Sequence, residues 1–290
     1  MSELRLEPLR ERPYGFFARG VAEHNGHEVA VRIRSPHANL EDVDLPKVIN
    51  LNGLTADHES MAVPARMCAT LGYMAITLDY TNKGFAKPLD RNAEDGLTVL
   101  ECIPDGPLTI VGLSMGGDVG TIVTDKADRS IETLYAVSPG GYTKVLGQFT
   151  LQKLTGAVAG EARDDLSQAM RHPYRELSVG MGCVRNCVHR PLAVISEANT
   201  LTHSTVYPEL RNIRATRPET KVVLAYASHD HLVPKEPLLA SITDEEGSAP
   251  GSLIDILAPY DGIHTRLVRD PALTEYVIGL GAAVDLSPAA

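Results

Sequence analysis

The chain has 290 residues, of which 43% are hydrophobic and 22% charged, a globular balance that excludes bulk disorder. A net charge of −10 removes the usual footprint of a nucleic-acid or anionic-membrane binder, which needs clustered Lys and Arg. No run of about eighteen apolar residues occurs, so no membrane span is expected. The first residues, Met1-Ser2-Glu3-Leu4-Arg5, lack the apolar core of a secretory signal, and a cytoplasmic location is expected.

In chain order, residues 16 to 35 read as a β-hairpin turning at His24-Asn25-Gly26, with alternating polarity from Glu28 to Ile33. Pro46 to Leu51 is a short apolar strand, and Met61, Val63, Met67 and Leu71 give helical spacing over 58–71. A strand at Tyr73 to Leu78, a helix at Arg91 to Cys102, a strand at Leu108 to Leu113, a helix at Gly117 to Lys126 and a strand at Thr133 to Val137 follow. Such alternation predicts a doubly wound α/β architecture with a mostly parallel sheet, because parallel neighbours need crossover helices.

The alternation stops at Ser138-Pro139-Gly140-Gly141 and resumes with the apolar run from Lys221 to Tyr226. Helical patches between them predict an inserted helical cap at 141–215, dividing a core made of 1–140 and 216–290. The core is expected to close with a helix at Glu236 to Ile242, a strand at Leu253 to Leu257 and a helix at Pro271 to Leu280.

Four cysteines are too few and too irregular for a disulfide scaffold. Cys183, Cys187 and His189 cluster, but without paired Cys spacing or a fourth ligand, so free thiols and no metal are expected.

A serine hydroxyl becomes a nucleophile only when a base takes its proton and the developing oxyanion is stabilised. In Gly112-Leu113-Ser114-Met115-Gly116 a glycine-flanked serine lies between a β-rich run and a helix. A sharp strand-to-helix turn strains the serine, and side chains two positions either side would clash. The phosphate-binding glycine spacings are absent, which disfavours a nucleotide, and no cofactor is expected. Asp118, just after the turn, is expected to stabilise the positive end of its helix.

With these residues the chain resembles the α/β-hydrolase superfamily over about residues 16 to 283, in particular its dienelactone-hydrolase-like and esterase branches. The resemblance implies a triad in the order serine, acid, histidine. Asp230, in Ser228-His229-Asp230-His231-Leu232-Val233-Pro234, stands where that superfamily keeps its acid, and His264 stands where it keeps its base. Ser114 would attack, His264 would relay the proton and Asp230 would orient the imidazole. His231 is a rival base and Asp261 a rival acid. Two backbone N–H groups would form the oxyanion hole, from Met115 and, by resemblance, from Leu54 in Asn52-Gly53-Leu54-Thr55. Asn52 and His58 are expected to be ordinary loop residues.

The resemblance implies a serine hydrolase, with small or medium carboxylic esters as the expected substrates. Acyl transfer, a cofactor-free lyase or haloperoxidase, and a silent binding module are the other readings that this resemblance leaves open.

Overall fold

A computed structural model of the chain describes residues 2–53, 61–81, 88–143, 200, 205–247, 251–262, 264 and 270–284. Among them one sheet of ten strands runs through the molecule. Its antiparallel half consists of β1 (Ser2–Leu6), β2 (Arg10–Arg12), β3 (Gly15–His24) and β4 (His27–Ser35). The predicted hairpin is β3 and β4, and both turn residues, Asn25 and Gly26, have the positive φ that a tight hairpin requires.

The parallel half contains β5 (Lys47–Leu51), β6 (Met74–Leu78), β7 (Leu108–Leu113), β8 (Thr133–Val137), β9 (Lys221–Ala227) and β10 (Ile256–Tyr260). Spatial order is β1-β3-β4-β6-β5-β7-β8-β9-β10, with β4 antiparallel to β6 and β2 paired to β3. Among the described residues, six helices lie between or after these strands: α1 (Ala62–Thr70), α2 (Pro88–Cys102), α3 (Met115–Lys126), α4 (Tyr207–Thr216), α5 (Lys235–Glu246) and α6 (Pro271–Val284).

β5 to β9 are mostly apolar and buried along nearly their whole length because both faces are covered, whereas the edge strand β10 exposes alternate residues. Ile110 of β7 and Leu134 and Ala136 of β8 join the core beneath α2, α3, α4 and α5. Their alternates Val111, Leu113, Tyr135 and Val137 join a second core against α1 and α6. A period of two thus fixes which residues meet which helix layer.

The last strand differs from expectation. Pairing with β9 begins at Ile256 and runs to Tyr260, so β10 lies several residues later than Leu253 to Leu257. Leu253 and Ile254 are buried before the strand starts, and the edge position of β10 tolerates Pro259, which has no N–H to donate.

Most of the segment expected as a cap, 144–199 and 201–204, lies outside the described residues. Of its ends, Gly140–Tyr142 form a 3-10 turn and α4 packs on α3 with Tyr207, Leu210 and Ile213 buried. Among the described residues no helix is long and apolar enough to cross a membrane.

Candidate active site

Ser114 follows β7 directly and has φ 54° and ψ −123°, a backbone state costing on the order of 1–3 kcal/mol for a residue with a Cβ. Two hydrogen bonds hold the turn: the Ser114 N–H donates to Val137 O and the Gly117 N–H to Ser114 O, both at 2.8 Å. The flanking glycines are sterically obligatory. A Cβ on Gly112 would lie 2.1 Å from Gly116 O, and one on Gly116 would lie 2.2 Å from Leu51 O. Ser114 is half-buried between buried neighbours, so the turn presents its side chain.

The loop after β5 comes against this turn. A Cβ on Gly53 would lie 3.3 Å from Ser114 Cβ and 3.2 Å from Leu113 O. Asn52, expected as an ordinary loop residue, is buried and braces the loop. Its Nδ2 donates to Leu78 O at 2.8 Å and its carbonyl accepts from Tyr80 Oη at 3.3 Å. Met115 opens α3, where helix geometry leaves an N–H without an i−4 acceptor. Leu54 and His58 lie outside the described residues.

Asp230 and His264 meet on the same edge of the sheet, beyond the ends of β9 and β10. His264 Nδ1 is 2.8 Å from Asp230 Oδ2, with both side chains buried. The other carboxylate oxygen, Oδ1, accepts the N–H groups of Leu232 at 2.9 Å and Val233 at 2.7 Å. Burial pushes the Asp230 carboxyl up, but the His264 charge and hydrogen bond, the Val233 N–H and the Ser138 hydroxyl together hold it below the usual range.

Ser138 was not among the residues singled out in the sequence. It follows β8 with φ 45° and is fully buried. Its N–H donates to Ala225 O at 2.8 Å, and its hydroxyl donates to the Asp230 carboxylate. That leaves the Ser138 oxygen as acceptor for Tyr260 Oη at 3.3 Å. The adjacent carbonyl, Val137 O, takes the Ser114 N–H. The end of β8 therefore ties the strained serine to the acid and its histidine. A loop read only as Ser-Pro-Gly-Gly gave no sign of this.

No protein-family model matches the chain, and no curated protein sequence matches it. Its structure is similar to the enol-lactonase of Burkholderia xenovorans LB400, with TM-score 0.64 and 17% identity over 89% of this chain and 98% of that one. The bromoperoxidase of Bacillus anthracis is similar at TM-score 0.65 and 15% identity, covering 92% and 99%. An α/β hydrolase from a sediment metagenome of the Mar Chica lagoon, Morocco, matches at TM-score 0.56 and 12% identity, covering 97% and 100%. The chain has the α/β-hydrolase fold.

In this α/β-hydrolase fold the other residues weighed from the sequence fall away from the Asp230–His264 pair. His231 is exposed. The Asp261 side chain is 86% exposed and lies against His229 at 3.5 Å, while its Oδ1 accepts the Ser228 hydroxyl at 3.2 Å.

Asp118 stands in the first turn of α3, where the sequence places it, and makes a further contact. Its side chain is buried, Oδ1 accepts the Gly141 N–H at 2.9 Å, and burial pushes the carboxyl up to about 8 against the pull of the Gly141 and Gly140 N–H groups. The hydrogen bond from Gly141 lets Asp118 pin the start of the post-β8 segment from its place in the first turn of α3. Cys183, Cys187 and His189 lie outside the described residues. Among those described, no group of three His, Cys, Asp or Glu side chains is arranged to hold a metal.

Proposed function

We propose that this chain is a serine hydrolase that cleaves carboxylic esters of small or medium acyl groups through an acyl-enzyme on Ser114. The observation that carries the reading is the buried 2.8 Å contact of Asp230 with His264 Nδ1, on the sheet edge where Ser114 is held in its strained turn. That contact fixes the imidazole with its proton on Nδ1, which leaves Nε2 as the base.

Ser114 Oγ attacks the acyl carbon as its proton passes to His264 Nε2. The carbonyl oxygen becomes an oxyanion, for which the Met115 and Leu54 N–H groups are the proposed donors. Collapse expels the alcohol, which takes the proton from His264. A water then repeats the sequence, giving its proton to His264 and its oxygen to the acyl group, and Ser114 is restored. Every proton transfer in this scheme uses side chains of the chain itself.

Similarity in fold to an enol-lactonase and to the thioesterase domain of the curacin biosynthetic pathway supports acyl chemistry. We assign selection of the acyl group to the inserted segment 141–215. The test is turnover of a panel of short p-nitrophenyl esters, thioesters and lactones by the wild type and Ser114→Ala. Turnover of at least one class by the wild type, lost in the variant, is expected. Absence of Ser114-dependent turnover across the panel overturns the proposal. An added alcohol acceptor separates hydrolysis from acyl transfer by its product.

A further inference from the structure

Asp95, in α2, is a fully buried carboxyl that the proposed chemistry does not use. It gathers donors from two other elements. Oδ2 accepts the Thr81 N–H at 2.6 Å, Oδ1 accepts the Thr81 hydroxyl at 2.7 Å, and His27 Nε2, where β4 begins, lies 2.6 Å from Oδ1. Withdrawing a carboxyl from water is costly, and is tolerated when such partners satisfy its oxygens. The result is a clamp on the chain leaving β6, because Thr81 is held by its backbone and by its side chain.

The residue before Thr81 carries that hold to the loop after β5. Tyr80 is buried and its hydroxyl donates to Asn52 O at 3.3 Å, while Asn52 Nδ2 donates to Leu78 O at 2.8 Å. Both holds on Asn52 thus come from the end of β6. The Asn52 carbonyl and the Gly53 N–H share one rigid plane, so fixing the carbonyl fixes the peptide. Gly53 needs this outside hold, since a residue without a Cβ leaves its own backbone angles free. A Cβ placed on it would come 3.3 Å from Ser114 Cβ, and one on Gly116 would lie 2.7 Å from Asn52 O, so the peptide sits directly against the nucleophile turn. The next peptide, from Gly53 to Leu54, carries the N–H proposed as an oxyanion donor.

We propose that Tyr80 and Thr81 are positioning residues for the oxyanion hole: Asp95 fixes Thr81, the backbone carries the hold to Tyr80, and the Tyr80 hydroxyl orients the Asn52–Gly53 peptide beside Ser114. The inference rests on the hydrolase reading of Ser114 and deepens it. An oxyanion exists in the tetrahedral transition state and not in the bound ester, so loss of this hold lowers kcat and spares KM.

The test is kinetics of the full chain on the fastest substrate of the ester, thioester and lactone panel, with phenylboronic acid as inhibitor, whose tetrahedral adduct on serine places an oxygen in the oxyanion hole. Tyr80→Phe is expected to lower kcat about tenfold, less than the roughly 10²–10³ lost with an oxyanion donor itself, to keep KM within about twofold and to raise the inhibitor Ki about tenfold. Thr81→Val, which lacks the hydroxyl, is expected to lower kcat about threefold or more, and Thr81→Ser, which keeps it, to stay within about twofold of wild type. That pair decides the matter should Tyr80→Phe fail to fold. A purely structural contact would lower the melting temperature and leave kcat and Ki of the folded enzyme unchanged. Unchanged kcat and Ki in folded Tyr80→Phe, a rise in KM alone, or equal kcat in Thr81→Val and Thr81→Ser would overturn the inference and leave the hydrolase reading intact. Absence of Ser114-dependent turnover in the wild type would instead overturn that reading and this inference with it.

Discussion

Asp230→Asn separates the role of the acid from its packing. The substitution preserves volume and both oxygen positions, but only one of the two atoms can remain an oxygen. Oδ1 accepts two backbone N–H groups, from Leu232 at 2.9 Å and Val233 at 2.7 Å. The amide oxygen must stay there, since an NH2 group at that position would leave two buried donors facing a third at a cost of about 1–3 kcal/mol each. The NH2 group is thereby directed to the Oδ2 position, 2.8 Å from His264 Nδ1. As that group can only donate, His264 Nδ1 must accept, and the imidazole proton moves to Nε2. An Nε2–H cannot take the proton of Ser114. Loss of kcat by about 10⁴ is expected for this wrong tautomer, with a melting temperature within a few degrees of wild type because the hydrogen-bond count is retained. Ester turnover and a thermal melt on the same preparation check both halves. A folded Asp230→Asn that keeps a tenth or more of the wild-type kcat would refute the tautomer reasoning.

Ser138→Ala removes the hydroxyl between Tyr260 and Asp230. It is expected to lower kcat about tenfold with KM unchanged, as the loss of one hydrogen bond to a charged group is worth about 1.5–3 kcal/mol; an unchanged kcat counts against a positioning role. The same variant raises the depressed Asp230 carboxyl toward its ordinary value, so the stability that Asp230 supplies above the carboxylate range is expected to be lost at a higher pH during acid titration. Gly112→Ala drives a Cβ to 2.1 Å from Gly116 O, and because a Cβ cannot rotate away and its neighbours are backbone it is expected to cost at least about 1–3 kcal/mol in urea unfolding together with the activity. Wild-type stability and activity in that variant would show that the turn has room. For Asp118, whose folded value is raised to about 8, the stability contribution is fully present below the unfolded carboxylate pKa and declines as pH rises toward 8. Asp118→Asn keeps the acceptor for Gly141 and has no charge, so its stability relative to wild type is expected to improve with pH, by up to about 1.4 kcal/mol per unit between pH 5 and 8. A pH-independent difference in urea unfolding contradicts the buried neutral carboxyl.

The elements that position the site were legible where one physical rule dominated. β5, β7, β8 and β9 are covered on both faces, so their apolar runs stand out, and the glycines around Ser114 signal a turn whose sterics the structure repeats at 2.1 Å and 2.2 Å. β1 and β2 were not read: Ser2–Leu6 alternates only through Leu4 and Leu6, too short a run to stand out, and Arg10–Arg12 is polar and exposed, with pairing to β3 as its strand signal. β10 was misplaced because the burial of Leu253 and Ile254 imitates a strand start, and Pro259 argues against the residues that do pair. Ser138 carries no local signature, since its role depends on a positive φ and on the spatial order β7-β8-β9.

The most direct test of the hydrolase account is mass spectrometry of the protein quenched during turnover of the ester panel, or after a fluorophosphonate probe. The account predicts a covalent acyl or phosphonyl adduct on the peptide containing Ser114, absent in Ser114→Ala. An adduct carried equally by Ser114→Ala, or no adduct with any substrate or probe, would contradict it.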